Sequence, residues 1–313
     1  MHFLNESTLS NDSFAYNPSH DSECGLVDLL LKRYAISPLI LFCVFGNMFN
    51  LIIHRFSYAN GDTLFPYFKA KVIVNSIFVF SRVFEMIHAW GKKPSQLWEP
   101  IFWMTRPYMI AIANISGTVS IWLSAIISLK TVFYLLYPLT FRCYCTKRFT
   151  LICLFSVTIF ATLSQAAFIY LRTPIPISGF IYDDKKQCFD RKTYYSLELR
   201  DQSDKKWWKA YTIEQGILGI FIPIMIMSTC TAIVCQKART GVPDPQQKRV
   251  LYLLIATTFS HILFDGPAIL SHFASAIDHP NPALMWCVMN HISNFLSLIN
   301  ATIPFLFYFV CFI

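Results

Sequence analysis

Charged and hydrogen-bonding side chains inside otherwise apolar stretches are where this chain can do chemistry. Arg82 and Glu85 lie three apart within residues 66–90, and Asp265 follows His261 by four within 250–277. On a helix, each spacing puts the two side chains on one face, as an ion pair or a hydrogen bond requires. Ionisable groups in apolar spans are costly and mark functional contacts or internal pairs. No catalytic constellation emerges. His261, His272, His279 and His291 lack the tight spacing of a helix-borne metal pair, and there is no Gly-rich phosphate loop. Cys143 and Cys145 lack the further ligands of a zinc site. No enzyme activity, metal or cofactor is therefore expected.

The elements that must carry these groups are membrane spans. Of 313 residues, 55% are hydrophobic and 14% charged, against about 25% charged in a soluble domain. Mean hydropathy is +0.45. The formal charge of +8 would suit a nucleic-acid partner, but the bases sit between apolar segments, where they read as topology signals instead. Seven stretches are long enough to cross hydrocarbon, given that about 20 apolar residues suffice: about 34–53, 66–90, 107–135, 149–170, 213–235, 250–277 and 283–311. The third carries Asn114, Ser116, Thr118, Ser120 and Ser124 beside Gly117, the composition of a central packed helix. Pro223 interrupts the fifth span, and Gly266-Pro267 bends the sixth. Lys69 and Lys71 are expected to snorkel to the headgroups. Residues 171–209 form the longest loop, and the alternation near Tyr194 and Tyr195 permits a short hairpin.

The fold class expected is thus an all-α membrane protein, a seven-transmembrane helix bundle with its N-terminus outside. Residues 1–33 form a polar tail without the apolar core of a signal peptide. Asn5 and Asn11 begin glycosylation sequons, which are meaningful only outside the cell. The loops after spans one, three and five, with the start of span two, collect ten bases against Asp62 and Asp244, which places them inside. The location implied is the plasma membrane, multi-pass. Cys143 and Cys145, beside a basic inner loop, are palmitoylation candidates or plain interfacial cysteines.

Several motifs resemble a rhodopsin-like G-protein-coupled receptor, in particular invertebrate FMRFamide-type peptide receptors and nematode serpentine receptors. Gly46-Asn47 with Asn50 is similar to the first-helix signature. In the run YFKAKVIVN, Asn75 stands where the family has its sodium-site aspartate. Ser120-Ile121-Trp122-Leu123 and Tyr137-Pro138-Leu139 flank the switch region, while Pro223, Pro267 and Pro304 match the prolines of helices five, six and seven. The switch itself departs from the family. Lys130-Thr131-Val132 replaces the acidic-arginine-tyrosine triplet, and Ile303 and Phe307 replace the asparagine and tyrosine around Pro304.

The resemblance implies an extracellular ligand, a neuropeptide first, and a heterotrimeric G protein if coupling is retained. Alternatives are a chemosensory receptor for a small molecule, a receptor-like protein that does not couple, and a seven-span transporter. Ligand contacts are expected at Glu85, Tyr108, Asn114, Asp265 and His291. Asp265 would counter a cationic ligand, or else pair with a neighbour or stay protonated. The family's outer disulfide reaches the top of the third helix, where this chain has Arg106; Cys188 is then left with Cys24 as partner, and Cys287 ranks behind. Because the sequence stops at Ile313, the inner helix and tail usual after the seventh span are either lacking here or part of a longer chain.

Overall fold

The computed structural model describes residues 27–57, 65–91, 97–137, 141, 146–183, 188–240, 245–277 and 284–304. Asn5, Asn11, Cys24, Cys143 and Cys145 lie outside them. Among the described residues, six helices are long and apolar enough to cross a membrane: α1 (Val27–Phe49), α2 (Pro66–Trp90), α3 (Trp98–Leu136), α4 (Lys147–Leu171), α5 (Lys205–Arg239) and α6 (Val250–Ala276). A further helix, α7 (Leu284–Thr302), packs against α1, α2 and α6. The protein is a multi-pass helical membrane bundle. Leu151, Phe155 and Leu163 on α4 and Phe42, Phe45 and Phe49 on α1 remain exposed. Such a surface suits hydrocarbon rather than water.

The small and polar composition of the third stretch has its consequence in the position of α3. Half of its apolar window is buried, against 17% for α1 and for α4. Val119 and Leu123 pack with Tyr67 of α2 and Ala161 of α4. On another face, Ile121 and Ala125 meet Ile224 and Met227 of α5. Ala113 joins Cys43, Phe78 and Leu298 in a cluster linking α1, α2 and α7. Small side chains allow this closeness because association within a bilayer depends on packing rather than on expulsion of water.

Prolines shape three helices in the same way. A π turn precedes Pro38 (Leu31–Ala35), Pro223 (Gln215–Phe221) and Pro267 (His261–Asp265). Proline lacks an N–H and clashes with the carbonyl four residues earlier, and the wider turn relieves that clash. In α5 the Leu218 carbonyl accepts a hydrogen bond from Trp122 Nε1 at 3.1 Å. The α5 break is thus tied to α3.

Two helices run farther than the apolar pattern shows. α3 begins at Trp98, with Pro100 in its first turn, and α5 begins at Lys205, taking Trp207 and Trp208 out of the long loop. Thr146 caps α4, its side chain accepting from the Phe149 N–H at 3.2 Å. Between α4 and α5 stands an antiparallel hairpin, β1 (Arg172–Asp183) and β2 (Cys188–Leu199), in register from Arg172 opposite Leu199 to Asp183 opposite Cys188. It is longer than the short hairpin expected there.

Candidate ligand-binding site

A cavity of about 540 Å³ opens at the hairpin end of the bundle. Below it lies a smaller one of about 110 Å³, which shares Arg82, Asn114, His272 and Asn294 with it. Two polar layers result, and they differ in how their charges are satisfied.

In the upper layer, Glu85 and Arg82 meet as their spacing predicts, at 3.7 Å. Lys32 of α1 joins them, 3.6 Å from Glu85 and 2.6 Å from Asp28. Asp28 in turn is 2.8 Å from His291 Nδ1 on α7. Arg33 Nε donates to the Ala89 carbonyl, which fixes α1 against the end of α2.

Two guanidinium groups border this web without an ion pair within 4 Å among the described residues, Arg106 near enough to Glu85 to act on its charge and Arg172 beside Glu198. Arg106 lies over the Trp103 ring at 4.6 Å and the Phe102 ring at 5.9 Å, while its Nε is buried without a hydrogen-bond partner among the described residues. Arg172, at the start of β1, lies 4.0 Å over Trp208 and donates through Nη1 to the Leu197 carbonyl; its Nε is also buried without a hydrogen-bond partner among the described residues. Burial pushes the Arg172 guanidinium below its ordinary value, with Glu198 partly opposing.

One wall is polar in a way the sequence reading missed. Gln165 of α4, fully buried, accepts at Oε1 from the Tyr211 hydroxyl (2.8 Å) and from Asn114 Nδ2 (3.2 Å), and its Nε2 donates to Gln215 Oε1 at 2.7 Å. Gln215 Nε2 donates to Ser164, whose hydroxyl donates to Glu214 at 2.8 Å. The signal was present, since Gln165 interrupts an uncharged span.

The lower layer surrounds Asp265. Its Oδ2 is 2.6 Å from His261 Nδ1 and accepts from Asn300 Nδ2 at 2.6 Å. His261 Nε2 lies 2.9 Å from Ser124 Oγ, and the Ser124 oxygen also accepts from Lys71 Nζ. Ser260 donates to Asn300, Ser120 donates to Asn75, and Asn75 Nδ2 donates to the Ala301 carbonyl at 3.1 Å. Helices α2, α3, α6 and α7 are joined by these bonds.

The expected site residues therefore separate. Glu85, Asn114 and His291 line the upper cavity, and Asp265 and Asn114 the lower one. Tyr108 is 55% exposed and lines neither. It is two residues from Arg106, a step of about 200° that turns it to the other side of the helix. The same geometry corrects the lysines: Lys69 is exposed, but Lys71 is buried at 6% exposure and bonds inward to Ser124 instead of snorkelling. Asn47 donates to Ser76 at 2.8 Å, between α1 and α2.

At the opposite end, Lys130 is buried, its ammonium 4.5 Å from the Tyr67 ring and 3.4 Å from Thr150 Oγ1. Thr131 donates back to the Ile127 carbonyl at 2.8 Å. Pro223 is fully buried, whereas Pro267 and Pro304 are half-buried. Cys287, ranked behind Cys24 and Cys188, is the cysteine the structure shows in a disulfide, near the start of α7 at the hairpin end. Its partner lies outside the described side chains, and Cys188 is described only as the backbone that opens β2.

No family model matches the chain. The human protein named G-protein coupled receptor 65 is 26% identical over 186 residues, covering 56% of this chain and 52% of that protein. The chain thus matches about half the length of that curated relative. With six long apolar helices among the described residues, the central α3 one of them, it is a multi-pass membrane protein with distant similarity to a G-protein-coupled receptor.

Proposed function

We propose that this protein is a plasma-membrane receptor of the G-protein-coupled type, with seven spans and its N-terminus outside, that takes an extracellular ligand in the cavity at the hairpin end. The observation carrying this reading is the continuity of that cavity with the buried network below it, through Arg82, Asn114 and His272. A ligand in the upper layer touches residues that also bound the lower one, where α3, α6 and α7 are tied together at Ser124, His261 and Asn300. Binding that favours one arrangement of those bonds shifts the packing of α6, broken by its π turn at His261–Asp265. The ligand is a peptide or a small molecule, and the partner at the opposite end is a heterotrimeric G protein.

A second reading is supported at that opposite end. Thr131 is engaged with its own helix and Lys130 is buried against Tyr67, so the arginine that the family presents to a G protein has no counterpart here. A receptor-like protein that binds ligand without coupling fits this arrangement.

The test is to express the tagged chain in cells and map glycans at Asn5 and Asn11. Cyclic AMP, calcium and G-protein dissociation are then followed while pooled peptides and small molecules are applied. Outside glycans and a response that requires the cavity residues support the receptor. Sequons facing the cytosol, or an even number of crossings, overturn it. Ligand binding at the surface with no G-protein signal selects the second reading.

A further inference from the structure

We propose that the hairpin-end cavity is selective for organic anions: a carboxylate or phosphate ester carried on an apolar body, its oxyanion completed by Arg106 and Arg172. This rests on the reading of the cavity as a ligand site and names the chemistry of what it takes. It reverses the expectation of a cationic ligand held by Asp265.

Charge is the first argument. The cavity wall holds four bases, Lys32, Arg82, Arg106 and Arg172, against two acids, Asp28 and Glu85. Both acids are engaged: Glu85 lies between Lys32 and Arg82, and Asp28 between Lys32 and His291. Asp265, one layer down, is held by His261 and Asn300. Neither acid of the cavity wall, nor Asp265 below it, is left for a cation, while Arg106 and Arg172 form no ion pair within 4 Å among the described residues and keep N–H groups for an anion.

The second argument is hydrogen bonding. Arg106 Nε and Arg172 Nε are buried without a partner among the described residues. A buried charged donor is retained against its cost when something completes it. Stacking over Trp103 and Trp208 fixes each guanidinium by its face, which leaves its edge for the paired N–H bonds that suit carboxylate or phosphate oxygens. The third argument is the rest of the wall, where Ile110, Phe168 and Leu197 offer apolar contact. A cavity of about 540 Å³ is of the size that encloses a small organic molecule or the end of a peptide. A peptide ending in a free carboxylate fits this site, and one ending in an amide does not.

The experiment uses the full chain in phosphatidylcholine nanodiscs, where no anionic lipid competes. Binding is measured for three matched probes, N-acetyltryptophan (anion), N-acetyltryptophanamide (neutral) and tryptophanamide (cation), and for 1-naphthyl phosphate against 1-naphthol. The anionic member of each set is expected to bind at least about tenfold tighter than its counterparts. Which set shows the larger preference separates carboxylate from phosphate. Arg106→Gln and Arg172→Gln are each expected to weaken the anion about 10- to 100-fold, the scale of a charged hydrogen bond, while Lys206→Gln, exposed and outside the cavity wall, changes nothing. Should a glutamine variant fail to fold, Arg106→Lys and Arg172→Lys keep the charge but lose the paired geometry, and should show an intermediate loss. A folded wild-type chain that binds no anionic probe, or that binds the three tryptophan probes equally, overturns the proposal. Anion binding lost in the arginine variants, without any cellular signal, leaves the proposal standing, removes the coupled-receptor reading and selects the non-coupling one. A cellular response to cationic ligands alone does the reverse.

Discussion

The two polar layers of the bundle share walls but treat charge in opposite ways. Around Asp265 every principal polar group has a protein partner, and the bonds cross four helices. Around Arg106 and Arg172 two guanidinium nitrogens are buried with no hydrogen-bond partner among the described residues. A satisfied layer stabilises one arrangement of helices, because in low dielectric each member depends on the others. An unsatisfied layer stays ready for something from outside. Depth alone does not separate them, since Glu85 in the upper layer is as buried as Asn300 in the lower one, at 7% and 6% exposure. Partnering is the property that differs.

That contrast can be broken by substitution, following thermal unfolding through the reactivity of the buried free thiols Cys43 and Cys230. The largest loss is expected for Asp265→Ala, which strips His261 and Asn300 of their shared acceptor. About 3 kcal/mol is the scale for losing buried hydrogen bonds to a carboxylate; a variant as stable as the parent would show that the lower layer is not held by its bonds. Next comes Gln165→Leu, which orphans the Tyr211 hydroxyl and an amide hydrogen of Asn114. A cost of about 2 kcal/mol is expected, visible as a lower apparent midpoint and as weaker binding in the upper cavity. Trp122→Phe removes one donor to the Leu218 carbonyl and should cost about 1 kcal/mol. Arg106→Gln sharpens the comparison from the other side. Because it removes a guanidinium whose buried Nε has no hydrogen-bond partner among the described residues, the unliganded midpoint should stay level or rise, and a large drop would mean that Arg106 is structural through its charge beside Glu85.

Much of the framework was legible in the residues. Apolar length gave six of the seven expected spans, short polar residues marked α3 as central, and the spacing of Arg82 to Glu85 and of His261 to Asp265 gave two pairs that the structure places at 3.7 and 2.6 Å. The errors share a cause. Lys71 was assigned to the headgroups because lysine near a helix start usually reaches them, yet its position relative to Lys69 puts it on the opposite face, toward Ser124. Tyr108, two residues from Arg106, turns to the other side of α3 and lines neither cavity. Aromatic and charged residues near Lys205 were read as loop, although their contacts with α4 hold them in helix.

Composition by itself determined that this chain lives in a bilayer, because a surface with so little charge and so many apolar side chains has no soluble solution. It also fixed where helices must bend, since proline cannot complete the backbone ladder. Which charges are satisfied was decided only by the tertiary structure. Lys32 meets Glu85 and Lys71 meets Ser124 across 53 residues of sequence in each case, and Asn75 reaches the Ala301 carbonyl across 226. Local spacing carries no information about such pairs. They arise when several helices present one residue each to the same point, and the packing of those helices sets whether a buried charge finds a partner or is left to take one from outside.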